Sequence, residues 1–116
     1  MTETVPPGTH LLIDFWQAHE LTDMAGIETA MRAAATACGA TVLDVLLHAF
    51  GEGAGVTGVA ILAESHISIH TWPELDYVAL DVFMCGACNP KFALPVLRAH
   101  FKPGREAVRA HKRGKA

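Results

Sequence analysis

The sequence predicts an α+β fold, a two-layer sandwich in which a mainly antiparallel sheet carries two helices on one face. The chain has 116 residues, of which 51% are hydrophobic, so it can form one domain with a core but is too short for two. Two segments have apolar residues at helical spacing, and the other ordered segments are β-type runs. Such hairpin-linked strands are typical of α+β chains rather than of repeated βαβ units. A single domain over residues 1–116 is therefore predicted.

The first half of the chain predicts a strand and then the clearest helix. Residues 10–16 are β-branched and aromatic enough for a strand. Asp23 is the expected N-cap of the helix, and Gly39 stands where a left-handed residue would end it. Between them, apolar side chains recur at helical spacing: Ile27, Ala30, Met31, Ala34 and Cys38. Residues 2–8, with two prolines, are expected to be a loose lead-in.

Four more strands, a second helix and a last strand are expected after this helix. The four strands are predicted over residues 41–50, 56–63, 66–70 and 77–84. The glycine-rich residues 51–55 are expected to form a loop, and they lack the Lys and the spacing of a phosphate-binding loop. Residues 94–101 predict the second helix, with Pro95 in its first turn. Residues 107–111 predict a last short strand.

The sheet and the charge distribution suggest which partners to expect. Two helices cover only one face of such a sheet, so the other face is expected to meet a second copy of the chain in a homodimer. The net charge is −3, yet seven of the nine Lys and Arg residues lie in residues 98–116. This basic end has no nucleic-acid module around it, so it predicts a solvated end and no nucleic-acid partner. A role toward an anionic ligand or a partner subunit stays open.

The sequence also predicts where the protein works. No apolar run approaches the roughly 18 residues of a membrane helix, so no membrane contact is predicted. The first seven residues lack the basic start and apolar stretch of a secretory signal. The three cysteines are then expected to be reduced thiols, and the protein is expected to be cytoplasmic.

The chemically informative segment is ESHISIHTWPE, residues 64–74. Polar and ionisable side chains crowd the junction between two otherwise apolar strands. The hydroxyl of Ser65 and the imidazole of His70 have the chemistry of a nucleophile and a base. Isolated Ser and His residues in strands are usually structural, however, and there is no G-x-S-x-G elbow. Spacing alone therefore does not predict a hydrolytic site.

This segment closely resembles the processing-site signature of the prokaryotic S-adenosylmethionine decarboxylases, pyruvoyl-dependent enzymes of polyamine synthesis. The likeness extends from His10 to about Gly114, and it includes GAT at 39–41, HAF at 48–50, GVTGV at 55–59 and DVFMCG at 81–86. The resemblance implies the fold of that family and a proenzyme that cuts itself between Glu64 and Ser65. It also implies that Ser65 becomes a covalent pyruvoyl cofactor, which the chain generates itself with loss of ammonia.

The resemblance implies roles for three further residues. Thr57 and His70 fall on the hydroxyl residue and the histidine that assist self-cleavage. Relatives often have Ser where Thr57 stands, and its β-branched side chain is expected to change the speed of processing. Cys85 falls on the proton donor of a decarboxylation in which the substrate amine forms a Schiff base with the pyruvoyl ketone. Cys85 and Cys88 form a CxxC pair, but no second pair completes a zinc site, so no metal is predicted.

The same resemblance implies how S-adenosylmethionine would bind. Aromatic faces suit its adenine and its positive sulfur, and a carboxylate accepts hydrogen bonds from the two ribose hydroxyls. Phe50 and Trp72 fall on the aromatic positions, and Glu74 falls on the ribose-binding acid. The alternative for Phe50 and Trp72 is ordinary core packing, with a tight turn at Trp72, but the functional interpretation is favoured because all three residues flank the proposed cofactor in sequence. Asp14 stands where many relatives have Glu, which makes it a further candidate carboxylate.

The expected reaction is therefore decarboxylation of S-adenosylmethionine to the aminopropyl donor for spermidine synthesis. One alternative keeps the self-processing and the cofactor but acts on ornithine or arginine. Another is a non-catalytic relative that never processes. The presence of Glu64, Ser65, His70 and Cys85 disfavours this last interpretation.

Overall fold

The helices and strands follow one another in the predicted order, and the structure, a computed structural model, describes residues 8–114. Their bounds are β1 Gly8–Trp16, α1 Met24–Ala37, β2 Val42–Ala49, β3 Val56–Leu62, β4 Ser65–Trp72, β5 Tyr77–Cys85, α2 Ala93–Phe101 and β6 Arg105–Arg113. Two short 3₁₀ turns, Pro73–Leu75 and Pro90–Phe92, precede β5 and α2. The predicted lead-in falls on residues 2–7, which lie outside the described residues, and on Gly8, which begins β1.

The strands form one antiparallel sheet in the order β2-β3-β4-β5-β1-β6. Strands β2 to β5 are a meander of hairpins, whereas β1 lies between β5 and β6. β4 is therefore an inner strand, with β3 and β5 on its two sides. Because neighbouring strands run in opposite directions, the start of β4 lies beside the ends of β3 and β5.

Both helices pack on one face of the sheet, so the predicted two-layer α+β fold is confirmed. The Asp23 carboxylate caps α1 by accepting a hydrogen bond from the Gly26 amide at 3.0 Å. Beyond the helix end, Gly39 has a φ of 85°, which glycine adopts without steric strain. The largest buried side chains lie between helices and sheet: Leu11, Ile13, Phe15, Ile27, Met31, Ile67, Ile69, Leu80, Met84, Leu97 and Phe101.

Four strands are longer than their predicted lengths, and the difference is largest in β4 and β6. β4 covers Ser65–Trp72 rather than 66–70, so Ser65 and Trp72 are its end residues. β6 covers Arg105–Arg113 rather than 107–111, and it pairs with the whole of β1. As an edge strand rich in Lys and Arg, β6 lacks the apolar alternation by which strands are predicted. Charged side chains on an edge strand also oppose pairing with other chains.

None of the helices in residues 8–114 packs on the second face of the sheet, which we call the uncovered face. Side chains alternate along a strand, so β4 directs Ile67 and Ile69 into the core. On the uncovered face it places His66, Ser68, His70 and Trp72. This face is polar and aromatic around β4, whereas Leu46 and Ile61 are exposed near β2. Within residues 8–114, neither helix is long and apolar enough to cross a membrane.

Candidate active site

The predicted cleavage site is a tight turn between β3 and β4. Leu62 and Ser65 pair across the two strands, and the intervening residues Ala63 and Glu64 form the turn. Glu64 has a φ of 63°, in the left-handed region that costs a non-glycine residue about 1–2 kcal/mol. Glu64, which supplies the carbonyl of the bond to Ser65, therefore has a sparsely populated backbone conformation and is exposed to solvent.

Cys85, the last residue of β5, contacts both sides of this bond. Its thiol donates a hydrogen bond to the Glu64 carbonyl oxygen, with 2.8 Å between Sγ and O. Its backbone amide donates to the Ser65 hydroxyl, with 3.1 Å between N and Oγ. We call Glu64, Ser65 and Cys85 the cleavage cluster. It unites a hydroxyl nucleophile, a carbonyl and a hydrogen-bond donor to that carbonyl.

A second group of predicted residues lies at the other end of β4, and we call it the His70 cluster. Its members are Phe50, Thr57, His70, Trp72 and Glu74. Four of them, all except Thr57, line one cleft of about 440 Å³. Thr57 lies directly opposite His70 in the β3–β4 register. The predicted substrate-binding residues therefore share a cleft with His70.

The sequence builds this cleft at the ends of three strands. The loop after β2 comes close to β4 at Gly55, where a Cβ atom would lie 2.3 Å from the Thr71 carbonyl oxygen. The buried Thr71 hydroxyl accepts a hydrogen bond from the Val56 amide and donates to the Leu21 carbonyl, both at 2.8 Å. Thr71 thus fixes the beginning of β3 against the end of β4, directly beneath the cleft.

The two aromatic residues of the cleft differ in how much free surface they have. The His70 imidazole stacks on the Trp72 indole, with ring centroids 3.9 Å apart and planes within 1°. Tyr77 also stacks against that indole, at 5.1 Å. Phe50, in contrast, is 61% exposed and touches the edge of His48. Phe50 therefore offers the larger open aromatic surface to a ligand.

The Thr57 hydroxyl is an unusual polar group of this cluster. It is buried and has no hydrogen-bond partner among the described residues. Buried polar groups in native proteins almost always have such a partner. The side chain that would assist cleavage thus lies next to His70 with its hydrogen-bonding capacity unused.

The structure does not bring the two clusters together within one chain. Ser65 begins β4 and His70 lies five residues further along it, about 16 Å away at roughly 3.3 Å per residue. Strand direction places Cys85 with Ser65 and places Thr57 with His70. A histidine cannot transfer a proton over that distance, since proton transfer needs contact at hydrogen-bond length.

Three features of the uncovered face do not follow from the motif. The Asp81 carboxylate accepts a hydrogen bond from Ser68 at 2.9 Å and lies 3.2 Å from the His10 imidazole. Asp14, a candidate carboxylate, accepts a hydrogen bond from the Tyr77 hydroxyl. Tyr77 begins β5, directly after the turn that follows the signature, and it pairs with Trp72 across the β4–β5 hairpin. A prediction of strand pairing would have identified Tyr77 as a neighbour of the site.

A second groove, larger than the cleft of the His70 cluster, lies elsewhere, between α1 and α2. It has about 690 Å³ and is lined by residues including Asp23, Gly26 and His100. None of the predicted site residues reaches it, so it has no connection with the chemistry of the two clusters. Within residues 8–114, no group of three or more His, Cys, Asp or Glu side chains is arranged to hold a metal ion.

Comparison with known proteins identifies the family. The sequence profile of the S-adenosylmethionine decarboxylase family matches residues 9–114. The chain belongs to the S-adenosylmethionine decarboxylase family. A member from Methanococcus aeolicus, named as an S-adenosylmethionine decarboxylase proenzyme, is 46% identical over 110 residues, which are 92% of this chain and 93% of that protein. A proenzyme of the same name from Thermomicrobium roseum is 44% identical over 108 residues, again 92% of this chain and 93% of that protein.

The fold agrees with this family. The crystal structure of the adenosylmethionine decarboxylase from Aquifex aeolicus superposes with a TM-score of 0.82 at 29% sequence identity. The superposition covers 97% of this chain and 95% of that one. The prediction of an S-adenosylmethionine decarboxylase fold is therefore confirmed over almost the whole chain.

Proposed function

We propose that this protein is a self-processing, pyruvoyl-dependent S-adenosylmethionine decarboxylase. The observation that carries the proposal is the hydrogen bond from the Cys85 thiol to the Glu64 carbonyl oxygen. That carbonyl belongs to the bond that must break, and Ser65, on the other side of the same bond, carries the hydroxyl that would attack it. Family membership supports the reaction, and the names of the relatives support a proenzyme.

Self-cleavage uses the residues of the cleavage cluster. The Ser65 hydroxyl adds to the Glu64 carbonyl carbon, the bond to the Ser65 nitrogen breaks, and the amide becomes an ester. Negative charge develops on the Glu64 oxygen during this step, and the Cys85 thiol donates to that atom. Loss of the Ser65 α-proton then expels the Glu64 carboxylate, and hydrolysis of the remaining enamine releases ammonia. The left-handed backbone at Glu64 raises the energy of the uncut chain.

The residues around Ser65 fit the cofactor that this sequence of steps would leave. The Cys85 amide donates to the Ser65 oxygen before cleavage, and the Cys85 side chain is half-buried beside it. Ser65 would carry the pyruvoyl group at this position, and that group would supply an electron sink for decarboxylation. The Cys85 thiol, on the residue whose amide contacts Ser65, would deliver a proton to the substrate after carbon dioxide has left.

We further propose that each active site is shared by two chains. The His70 cluster has a base and an unsatisfied hydroxyl, whereas the cleavage cluster has the bond to be cut. Two uncovered faces packed together around a two-fold axis that crosses β4 midway would bring each cleavage cluster over the partner's His70 cluster. This arrangement also buries the exposed apolar side chains of Leu46 and Ile61.

The cleft of the His70 cluster then becomes the substrate site of the partner's cofactor. Phe50 presents an open aromatic surface for an adenine, and Glu74 supplies a carboxylate for two ribose hydroxyls. A basic amino acid could pair its distal cation with Glu74, but its flexible chain gains little from Phe50. The cleft therefore favours S-adenosylmethionine over ornithine or arginine.

The product of the proposed reaction is the aminopropyl donor for spermidine synthesis. Cytoplasmic action suits a mechanism that needs the Cys85 thiol in its reduced form. Within the described residues, all three cysteines are unpaired, which supports that location.

The decisive assay offers carboxyl-labelled S-adenosylmethionine, ornithine and arginine separately to the purified protein. We expect two chains that meet at Glu64 and Ser65, and carbon dioxide from S-adenosylmethionine alone. Release from ornithine or arginine alone would replace the substrate but keep the Ser65, His70 and Cys85 roles. A single full-length chain with no reducible carbonyl would disprove the enzyme proposal and favour a non-catalytic relative.

A further inference from the structure

A row of five stacked groups crosses the uncovered face at the His70 end of the sheet. We call it the aromatic row, and its members are His70, Trp72, Tyr77, Trp16 and Arg105. Ring centroids are 3.9 Å apart for His70 and Trp72, 5.1 Å for Trp72 and Tyr77, and 5.8 Å for Tyr77 and Trp16. The Arg105 guanidinium carbon lies 4.2 Å from the centre of the Trp16 ring. The row thus joins the proposed processing histidine to the basic edge strand.

Strand register produces this row. Trp72 and Tyr77 are paired residues of the β4–β5 hairpin, and Trp16 and Arg105 are paired residues of β1 and β6. The four strands are consecutive in the sheet, so the side chains at this end stand side by side. Cross-strand aromatic pairs and a cation over an aromatic ring each stabilise such an arrangement.

Tyr77, in the middle of the row, is fixed by more than stacking. Its hydroxyl donates to one oxygen of Asp14, and the other oxygen of Asp14 lies 3.4 Å from the Arg109 guanidinium. Burial, together with the Asp14 carboxylate, raises the pKa of Tyr77 to about 12. The phenol therefore stays a neutral hydrogen-bond donor at physiological pH, and its ring is held in one place.

His70, at the end of the row, has no comparable anchor of its own. Its side chain is exposed, and among the hydrogen bonds between described residues none involves its imidazole. The parallel contact with Trp72 is what sets its ring plane. An exposed histidine without that contact would sample several rotamers.

We propose that Tyr77, held by Asp14, is a positioning residue for self-cleavage: it fixes the Trp72 indole, which in turn fixes the His70 imidazole. The proposal rests on the self-cleavage proposed above. In the two-chain site, His70 would then present one ring orientation to the partner subunit's cleavage turn. Since a base misplaced by about 1 Å can lose much of its rate advantage, loss of Tyr77 slows cleavage although Tyr77 never touches the bond.

The test compares Tyr77→Leu, which removes the stacking ring, with Tyr77→Phe, which keeps the ring but loses the bond to Asp14. The control, Phe101→Leu, removes a buried ring on the helix side of the sheet. Each proenzyme is made by cell-free synthesis, and the two-chain fraction is followed by intact mass. The same variants in a Ser65→Ala background report the melting temperature and the dimer without cleavage.

We expect Tyr77→Leu to cleave at least about tenfold more slowly than wild type, and Tyr77→Phe to stay within about threefold of it. Phe101→Leu should lose as much melting temperature as Tyr77→Leu yet cleave at the wild-type rate. The uncut Tyr77→Leu chain should match uncut His70→Ala in its sensitivity to hydroxylamine, which splits an ester but not an amide. If Tyr77 were only structural, the Tyr77→Leu chain would have no reason to stop at the same step of cleavage as the His70→Ala chain.

Three results would overturn the inference. They are wild-type cleavage by Tyr77→Leu, equal slowing by Phe101→Leu, and a stalled chain that differs from His70→Ala in hydroxylamine sensitivity. Wild-type protein that never cleaves would instead disprove the self-processing proposal. The two failures are therefore distinguishable in one experiment.

Discussion

The Cys85 thiol lies 2.8 Å from the carbonyl oxygen of Glu64 and donates a hydrogen bond to it. Two roles can therefore belong to one side chain at different times. Before cleavage the thiol contacts the oxygen on which charge would develop, and after cleavage it would face the proposed position of the substrate. The second role follows from the family resemblance, whereas the first follows from the contact itself.

Cys85→Ala should separate these roles. We expect this variant still to form two chains, but about tenfold more slowly, because one weak donor to the carbonyl oxygen is lost. The cleaved Cys85→Ala protein should release carbon dioxide at least about 100-fold more slowly per reducible carbonyl, because the proton donor is missing. Cys88→Ala, in the same turn, is the matched control and should behave as wild type in both assays.

Ser65→Ala should remain a single chain. Without the hydroxyl there is no nucleophile for the Glu64 carbonyl, whatever the surrounding geometry. Ser68→Ala is the matched control, since Ser68 lies on the same strand and its hydroxyl donates to Asp81 rather than to the cleavage turn. Intact-mass measurement should find two chains for Ser68→Ala and one for Ser65→Ala; cleavage of Ser65→Ala at residue 64 would refute the proposed nucleophile.

The element order was predictable because each element has a local pattern. The cap at Asp23, the stop at Gly39 and the alternation in β4 all act within a few residues, and the structure has each of them. β6 was underestimated because its strand character comes from pairing with β1 rather than from its own apolar residues. Local patterning therefore predicts most of this fold but not its charged edge.

The candidate site was predictable as a set of residues but not as an arrangement. Ser65 and His70 belong to the same signature, yet they lie about 16 Å apart along the single strand β4. The contact between Cys85 and Glu64 depends on the β4–β5 register. The aromatic row through Tyr77 and Trp16 depends on β1 lying beside β5. These strands are far apart in sequence, so local sequence patterns do not predict that they pair.

Alkaline pH should destabilise the uncut protein through two groups. Burial raises the pKa of the Cys38 thiol to about 11 from its usual 9, and burial and Asp14 raise that of Tyr77 to about 12 from 10. Each group keeps its proton longer in the folded than in the unfolded chain. Its contribution to the free energy of unfolding is therefore complete below its pKa in the unfolded chain. The contribution is lost as pH rises through its pKa in the folded chain.

The measurement is the free energy of unfolding of Ser65→Ala protein at pH 8 to 12 under reducing conditions. Cys38→Ala should flatten the decline between pH 9 and 11, and Tyr77→Phe should flatten it between pH 10 and 12. Unchanged slopes in both variants would show that neither group is linked to folding in this range.

Phe50→Ala should weaken the use of S-adenosylmethionine. Stacking of a base on an aromatic side chain is worth about 1–3 kcal/mol, so kcat/KM should fall roughly 5- to 150-fold. Phe92→Ala is the matched control, because Phe92 is 57% exposed, close to the 61% of Phe50, and lies away from the cleft. Steady-state assays of cleaved protein should show the loss in Phe50→Ala alone; equal values for both variants would remove Phe50 from the substrate site.

The last prediction concerns the two-chain site. Ser65→Ala lacks the nucleophile and His70→Ala lacks the proposed base, so each variant alone should stay uncut. In a mixed dimer, one of the two sites combines the intact Ser65 of the His70→Ala chain with the intact His70 of the Ser65→Ala chain. Co-expression with tags of different mass should therefore yield cut His70→Ala chains and only uncut Ser65→Ala chains. Sedimentation should show a dimer throughout; if both chains stay uncut in a proven mixed dimer, His70 does not act across the interface.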